Sequence, residues 1–177
     1  GVGASRGPEA MIAASVQLDL YEPLNPQGWR EGIGTVPIDV ALRRKSDALR
    51  ADAVRVMDHL VKGGRAEDKD IDTIVQKIND ASQTLNSEVS ESCRKWLAAG
   101  KIVGLVGGDH STPYGLIQAV AEKEGRLSVL HIDAHADLRP AYEGFTNSHA
   151  SIMYNVTENI PQIEKLVQVG VRDLCDQ

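Results

Sequence analysis

The chain has 177 residues, 42% of them apolar and 25% charged, which is typical of a globular domain with a buried core and excludes a disordered or fibrous chain. Its net charge of −6 argues against nucleic-acid binding, because neutralising phosphates requires clustered Lys and Arg. No apolar run is long enough for a membrane span, no signal peptide is evident and two cysteines do not make a disulfide framework, so we expect one cytoplasmic domain over residues 1–177 that contacts no membrane.

The first half of the chain predicts helices. A short helix is expected over residues 7–18, followed by a loop over residues 21–37 that is rich in proline and glycine. Apolar residues then recur on one helical face over residues 40–61, and two glycines end the pattern. The next helix covers residues 68–99 and is either continuous or broken near residues 82–87. We interpret these helices as scaffold.

The second half of the chain changes to short apolar runs that alternate with helix signals. Residues 101–106, 127–132 and 167–172 form three such runs, which predict buried strands of a parallel sheet. Between the first two, Ser111–Pro113 is expected to begin a helix that ends at Gly125. This alternation predicts an α/β fold with three layers, α/β/α, around a mainly parallel sheet.

Polar side chains follow two of these predicted strands. His110 comes after the first, and Asp133, His135 and Asp137 alternate after the second. In open α/β sheets, ligands bind outside the carboxyl ends of the strands, and an extended chain would place the three alternating side chains on one side. Two neighbouring carboxylates repel each other unless a cation lies between them, and carboxylate with imidazole suits Mn, Zn or Fe. The four residues therefore predict a metal site.

Three further residues near these clusters have different interpretations. Asp109 is expected to cap the following helix or to orient His110 rather than to bind metal. His131 shares the alternation but lies within an apolar run, so we interpret it as a core histidine. His149 lies in a polar loop, where no structural role is evident, and its titratable imidazole predicts proton transfer as a catalytic function.

The two polar segments contain complete motifs of a known family. Gly-Gly-Asp-His-Ser stands at Gly107–Ser111, and Asp-Ala-His-x-Asp stands at Asp133–Asp137. With this order and context the chain resembles the ureohydrolase family, which includes arginase, agmatinase and formimidoylglutamase, and a weaker likeness extends to Arg6–Ala10. The resemblance implies an arginase/deacetylase-like fold, two Mn²⁺ ions per active site, a small guanidino substrate and a homo-oligomer, often a trimer or hexamer.

The resemblance also implies a role for each predicted site residue. His110 and Asp137 bind one manganese ion, His135 binds the other and Asp133 bridges both. The metal pair supplies a hydroxide that attacks the guanidinium carbon, so the implied reaction is hydrolysis to urea and an amine. His149 matches the family's proton-shuttling histidine and delivers a proton to the departing nitrogen.

The chain departs from the family pattern in one important respect. The family's third motif, Ser-x-Asp-x-Asp-x-x-Asp-Pro, is absent, and Asp173 and Asp176 have the wrong spacing to replace it. Family members also begin earlier and continue beyond the position of Gln177. We therefore interpret the chain as an incomplete part of such a protein, with the four ligands named above but without those of the third motif.

The loop before His149 bears on the substrate. Asn147 fits an arginase-like contact with the substrate, but Arg139 stands where arginases usually have Asn. Glu143 suits the ammonium end of agmatine, and the loop as a whole is more similar to agmatinases. We favour agmatinase activity over arginase, with formimidoylglutamase as a further alternative.

Two other classes of protein share parts of this pattern. A deacetylase-like enzyme with a single zinc would use the Asp133 and His135 pair, but it would leave His110 and Asp137 unexplained. Metallophosphoesterases use similar segments in the opposite chain order. A non-catalytic member of the family that serves as a scaffold or regulator remains an alternative to the enzyme.

Overall fold

The computed structural model describes residues 4–173 of the chain. Short 3-10 helices lie at Ala4–Arg6, Ser15–Gln17, Gly28–Glu31 and His149–Ser151. In chain order, the longer elements are α1 (Gly7–Ala14), α2 (Val40–Val61), α3 (Lys69–Ala98), α4 (Tyr114–Glu124), β1 (Leu127–Ile132), α5 (Ile152–Asn159) and β2 (Ile163–Val169). β1 and β2 pair in parallel, so the predicted α/β class with a parallel sheet is confirmed.

The first helices follow the sequence pattern closely. α2 has the predicted bounds and begins after Asp39, whose side chain accepts a hydrogen bond from the Ala41 N–H at 2.7 Å. α3 is continuous, so the alternative of a break near residues 82–87 is wrong. The serines that suggested it donate within the helix, Ser82 to the Ile78 carbonyl at 2.9 Å and Ser87 to the Gln83 carbonyl at 3.1 Å. Their hydroxyls are thus satisfied without interrupting the helix.

Two of the three predicted strands differ from the sequence pattern. Residues 101–106 belong to no strand: Ile102 is fully exposed, and Val103 packs on the α3–α4 core. The third strand, predicted over residues 167–172, is β2 and begins earlier, at Ile163. The Leu127 N–H donates to the Gln162 carbonyl at 3.0 Å, which starts the pairing at the residue before β2.

The helix after the first polar motif begins later than predicted. Pro113 occupies the N-cap of α4, and its side chain cannot provide the capping bond expected from Ser111. Ser111 instead lies in a turn that precedes the helix, where its carbonyl accepts from the Tyr114 N–H at 3.4 Å. The C-terminal end is as predicted, because Gly125 has a φ of +79°, a left-handed conformation that glycine adopts without strain.

The core lies between one face of the sheet and the helices that cover it. Leu127, Val129 and Leu166 of the strands pack against α4 and α5. The buried residues of this cluster are Ala121, Ile152, Met153, Val156 and Ile160. On the opposite face of β1, Leu130 and Ile132 are 64% and 74% exposed, so within residues 4–173 only one of the two predicted helical layers is present. Among the helices of this range, none is both long and apolar enough to span a membrane.

α3 and α4 cross closely at Gly115, and this contact gives a test of the packing. A Cβ at Gly115 would lie 2.5 Å from the Asn86 carbonyl oxygen and 2.8 Å from the Ser90 backbone nitrogen. We expect Gly115→Ala to lower the free energy of unfolding by about 1–3 kcal/mol, because the helices must separate. Denaturant unfolding measures the change. Gly104→Ala, which meets no atom within 4 Å, is the control, and equal stability of the two variants would contradict the packing.

Candidate metal centre

The turn after residues 101–106 places His110 at the centre of a polar group. Asp109 directs Oδ1 at the Ser111 N–H at 2.9 Å, so its carboxylate stabilises the turn that carries His110. Gly108 lies against the first described residues, since a Cβ there would approach the Ala4 carbonyl oxygen to 2.3 Å. Any larger residue at this position would displace one of the two segments and move His110.

Asp133 lies between two histidines and offers one oxygen to each. Its Oδ2 is 3.4 Å from His110 Nδ1, and its Oδ1 is 3.3 Å from His135 Nδ1. Asp137 approaches His110 more closely, with 2.7 Å between Oδ2 and Nδ1. The Asp137 side chain is 6% exposed, whereas that of His135 is 61% exposed. The structure thus brings together all four residues predicted to bind metal, with His135 at the outer edge.

Asp137 reaches this position through a bend that the sequence pattern did not predict. Its φ is +55°, so the chain does not stay extended from Asp133 to Asp137. The Asp137 carbonyl accepts hydrogen bonds from the Met153 N–H at 3.0 Å and the Tyr154 N–H at 3.2 Å at the start of α5. These two bonds hold a backbone conformation that Asp tolerates better than most residues.

His131, which was not predicted to bind metal, also lies close to the metal-binding residues. One ligand atom each from His110, His131, Asp133 and Asp137 lies within 4.8 Å of the others. His131 is 4% exposed, and its ring stacks on that of His110 with 5.3 Å between ring centroids. It was interpreted from the sequence as a core histidine, and its burial agrees with that, but its place beside the metal-binding residues was missed. The sequence signal for this position was that His131 lies two residues before Asp133 and so continues the alternation of Asp133, His135 and Asp137.

The electrostatics of the group suit a divalent cation. The His135 backbone N–H, 2.8 Å from Asp133 Oδ1, lowers the pKa of that carboxyl below its ordinary value. Burial lowers the pKa of His131, with His110 acting in the same direction. Two carboxylates beside His110 concentrate negative charge, and one of them is buried, so a cation between the side chains would relieve their repulsion. Carboxylate oxygens and imidazole nitrogens fit Mn, Zn or Fe.

The loop that carries the predicted catalytic and substrate-binding residues is attached to α3. Asn86 donates from Nδ2 to Asn147 Oδ1 at 3.0 Å. Glu143 is exposed in a tight turn and has a φ of +55°. His149 is exposed on its 3-10 helix, where its ring meets the Tyr142 ring edge to face with 5.7 Å between centroids. The three predicted residues therefore belong to one loop, and neither Glu143 nor His149 is among the closely spaced groups that could hold a metal.

Asn147 also lines a polar cavity between α3, α4 and α5. The cavity has a volume of about 360 Å³ and no charged side chain in its lining. The lining residues are Gln83, Tyr114, Thr146, Asn147, Asn155 and Asn159. A polar, uncharged wall of this kind suits hydrogen bonding to a ligand or to water rather than ion pairing.

The model of the arginase family matches residues 1–177. The chain belongs to the arginase family. It is 36% identical over 171 residues to N(1)-aminopropylagmatine ureohydrolase of Thermus thermophilus, covering 96% of this chain and 45% of that protein. It is 29% identical over 150 residues to mitochondrial agmatinase of Gallus gallus, covering 77% of this chain and 44% of that protein. It is 38% identical over 111 residues to mitochondrial arginase 1 of Oryza sativa, covering 60% of this chain and 32% of that protein. No solved structure matches this chain significantly.

The chain spans about half the length of these ureohydrolase and agmatinase relatives. Family membership confirms the resemblance carried by the two motifs. Asp173, which the sequence analysis set aside as a replacement for the third motif, lies with its Oδ2 3.9 Å from His135 Nε2 at the edge of the group. Asp176 lies outside the described residues.

Sequence reasoning missed the asparagines of α3 that hold the arginase-family loop. The Asn79 side chain donates to the Gly144 carbonyl and accepts from the Thr146 N–H, both at 3.1 Å. Asn79 and Asn86 lie two helical turns apart, on the same face of α3. A spacing of seven residues on a helix is the available signal, but the loop that they bind is more than sixty residues away in the chain.

Removing the Asn79 side chain tests this attachment directly. We expect Asn79→Ala to speed hydrogen exchange at the Thr146 amide by about tenfold, because a hydrogen bond worth about 1–1.5 kcal/mol is lost. Exchange measured by NMR or mass spectrometry gives the rate. Thr73→Ala, which removes an exposed side-chain hydrogen bond from the same helix, is the control. Unchanged exchange at Thr146 in the Asn79 variant would contradict the attachment.

Proposed function

We propose that this chain supplies metal-binding and proton-transferring residues of a ureohydrolase, which hydrolyses a guanidino compound to urea and an amine. The observation that carries the proposal is the position of Asp133, with one carboxylate oxygen directed at His110 and the other at His135. A carboxylate with its two oxygens directed at different ligands is suited to bridge two metal ions. The proposal is also supported by relatives whose names denote ureohydrolase, agmatinase and arginase.

His110 and Asp137 would hold one divalent ion, His135 would hold a second and Asp133 would contact both. Such ions, which we propose to be Mn²⁺, would lower the pKa of bound water and so supply a nucleophile at neutral pH. The buried Asp137 carboxylate contributes charge where solvent is scarce, so its attraction to a cation is weakly screened. The His135 N–H lowers the pKa of Asp133 below its ordinary value, so the carboxylate stays ionised to lower pH than that of an ordinary aspartate.

His149 delivers a proton to the nitrogen that leaves as the amine. An exposed imidazole can exchange protons with solvent, and histidine is the side chain that most often acts as a general acid or base. Tyr142 packs edge to face against the His149 ring and limits its orientations. This packing supports His149 as the proton carrier, and His149 is not among the closely spaced metal-binding groups.

The Glu143 carboxylate supports a proposal for the substrate class. Glu143 presents an exposed carboxylate in the tight turn before Asn147, which suits a substrate with a cationic group far from its guanidinium. Agmatine has such an ammonium group, and N(1)-aminopropylagmatine, named in the Thermus thermophilus relative, carries a longer cationic chain. We propose an agmatine-type substrate, held by Glu143 at the cationic end and by Asn147 nearby, with arginine as the alternative.

Urea release by the complete protein tests the proposed function. Purified protein is incubated with agmatine, N(1)-aminopropylagmatine, arginine or guanidinobutyrate, with added Mn²⁺ or with chelator. We expect urea from an agmatine-type substrate with Mn²⁺, and none with chelator. Release from arginine alone would favour arginase. No urea from any of the four substrates would reject the ureohydrolase function, and one bound zinc per chain in that case would favour a deacetylase-like enzyme.

A further inference from the structure

His131 has an unusual polar environment beside the metal-binding residues. It lies on the covered face of β1, 4% exposed, and among the described residues its Nε2 has no hydrogen-bond partner. Its Nδ1 lies 2.8 Å from the side-chain nitrogen of Gln168 on the neighbouring strand. Nδ1 thus has a hydrogen-bond partner, whereas Nε2 is buried without one. A buried polar atom without a partner costs free energy and calls for an explanation.

Gln168 determines which ring nitrogen carries a hydrogen. The same Gln168 nitrogen that contacts His131 Nδ1 also lies 2.7 Å from the carbonyl oxygen of Ala136. A carbonyl oxygen can only accept, so this side-chain atom is the amide NH₂, and it donates its two hydrogens to Ala136 and His131. His131 Nδ1 therefore accepts with its lone pair, and the hydrogen of the neutral ring resides on Nε2.

Nε2, which carries this hydrogen, lies near the Asp133 carboxylate. Nε2 is 3.8 Å from Asp133 Oδ2, the oxygen that is also 3.4 Å from His110 Nδ1. An imidazole nitrogen that carries a hydrogen has no lone pair for a metal, but it can donate to a carboxylate that binds one. The distance exceeds a hydrogen bond by less than 1 Å, a gap that a small rotation of the Asp133 carboxylate closes.

We propose that His131 is a positioning residue of the metal centre, which Gln168 fixes with its hydrogen on Nε2 so that it donates to Asp133 and orients this carboxylate without binding metal itself. The inference rests on the proposed bridging role of Asp133. Gln168 also holds the Ala136 carbonyl, so one side chain of β2 orients both the His131 ring and the backbone between Asp133 and Asp137.

The hydrogen position is measured by long-range ¹H–¹⁵N NMR of the histidine rings in the complete, metal-free protein. We expect the hydrogen of His131 on Nε2. In Gln168→Glu we expect it on Nδ1, because a carboxylate at residue 168 accepts instead of donating. A hydrogen on Nδ1 in the unchanged protein would overturn the proposal. Gln76→Leu, at an exposed position on α3, is the control and leaves the His131 signals unchanged.

Metal binding distinguishes positioning from ligation. We expect His131→Phe, which keeps a ring but no donor, to weaken Mn²⁺ binding by about 10–100-fold with the same number of ions per chain. His131→Gln, whose amide NH₂ replaces the Nε2 donor, is expected to restore most of the affinity. Titration calorimetry and electron paramagnetic resonance give affinity and stoichiometry. Loss of one ion per chain in His131→Phe, or unchanged affinity, would overturn the proposal.

These measurements are independent of the proposed function. Neither the NMR experiment nor the metal titration uses a substrate, so the positioning role can be supported when no urea is formed. Urea release with unchanged Mn²⁺ affinity in His131→Phe would support the ureohydrolase function and overturn the role of His131. If His131→Phe does not fold, as judged by circular dichroism, His131→Gln and Gln168→Glu decide the question through the hydrogen position and the affinity.

Discussion

Replacing Asp133 by Asn is expected to abolish metal-dependent turnover and to weaken metal binding by at least about 100-fold, since even the outer partners of metal ligands account for 10–100-fold. The Oδ1 of Asn can still accept from the His135 N–H, as Asp133 does at 2.8 Å, so the local backbone is retained. The negative charge and the second acceptor oxygen, which faces His110, are lost. Metal content by mass spectrometry and urea release measure the two effects.

Asp109→Asn is the matched control for this change. Asp109 lies in the same site but directs Oδ1 at the Ser111 N–H, a bond that Asn also makes. We expect metal content and turnover close to those of the unchanged protein. If Asp133→Asn kept near-normal metal content, or if both variants lost their metals equally, Asp133 would not bridge the two ions.

Replacing His149 by Ala is expected to lower the turnover of the guanidino substrate by about 10²–10⁴-fold while leaving the metal content unchanged. The reason is that His149 lies on the loop held by α3 and is not one of the closely spaced metal-binding groups. Steady-state urea release over a range of pH, together with metal analysis of the same sample, separates proton transfer from metal binding.

His59→Ala is the matched control for His149→Ala. His59 pairs with Asp68 at 2.6 Å near the C-terminal end of α2, far along the chain from the two motifs, so its loss leaves turnover unchanged. Loss of metal together with turnover in His149→Ala would show that His149 supports the metal centre instead of transferring protons. Full activity of that variant would exclude the role altogether.

Nearby residues were sufficient to predict those bounds of the helices that depend on local sequence alone. The apolar periodicity predicted the bounds of α2, and the glycine after α4 predicted the end of that helix, because helix faces and ends depend on nearby residues. The strand predicted over residues 101–106 was wrong because strand formation needs a partner, and no apolar run encodes its partner. The later end predicted for β2 has the same origin, since its bounds follow its pairing with β1.

The candidate site was predictable where a motif contains it. His110, Asp133 and Asp137 meet because the turn after residues 101–106 lies beside the segment that follows β1. The φ of +55° at Asp137 was not predictable, because it depends on hydrogen bonds from the start of α5. Gln168 was missed for a similar reason: its two contacts lie on β1 and on the loop after it.

Anomalous diffraction from crystals of the complete protein grown with Mn²⁺ tests the central claim most directly. We predict one manganese peak in contact with His110, Asp133 and Asp137, and a second peak in contact with Asp133 and His135, about 3.5–4 Å from the first. The absence of any peak at Asp133 under saturating Mn²⁺, or metal bound without contact to His110 and Asp137, would contradict the account.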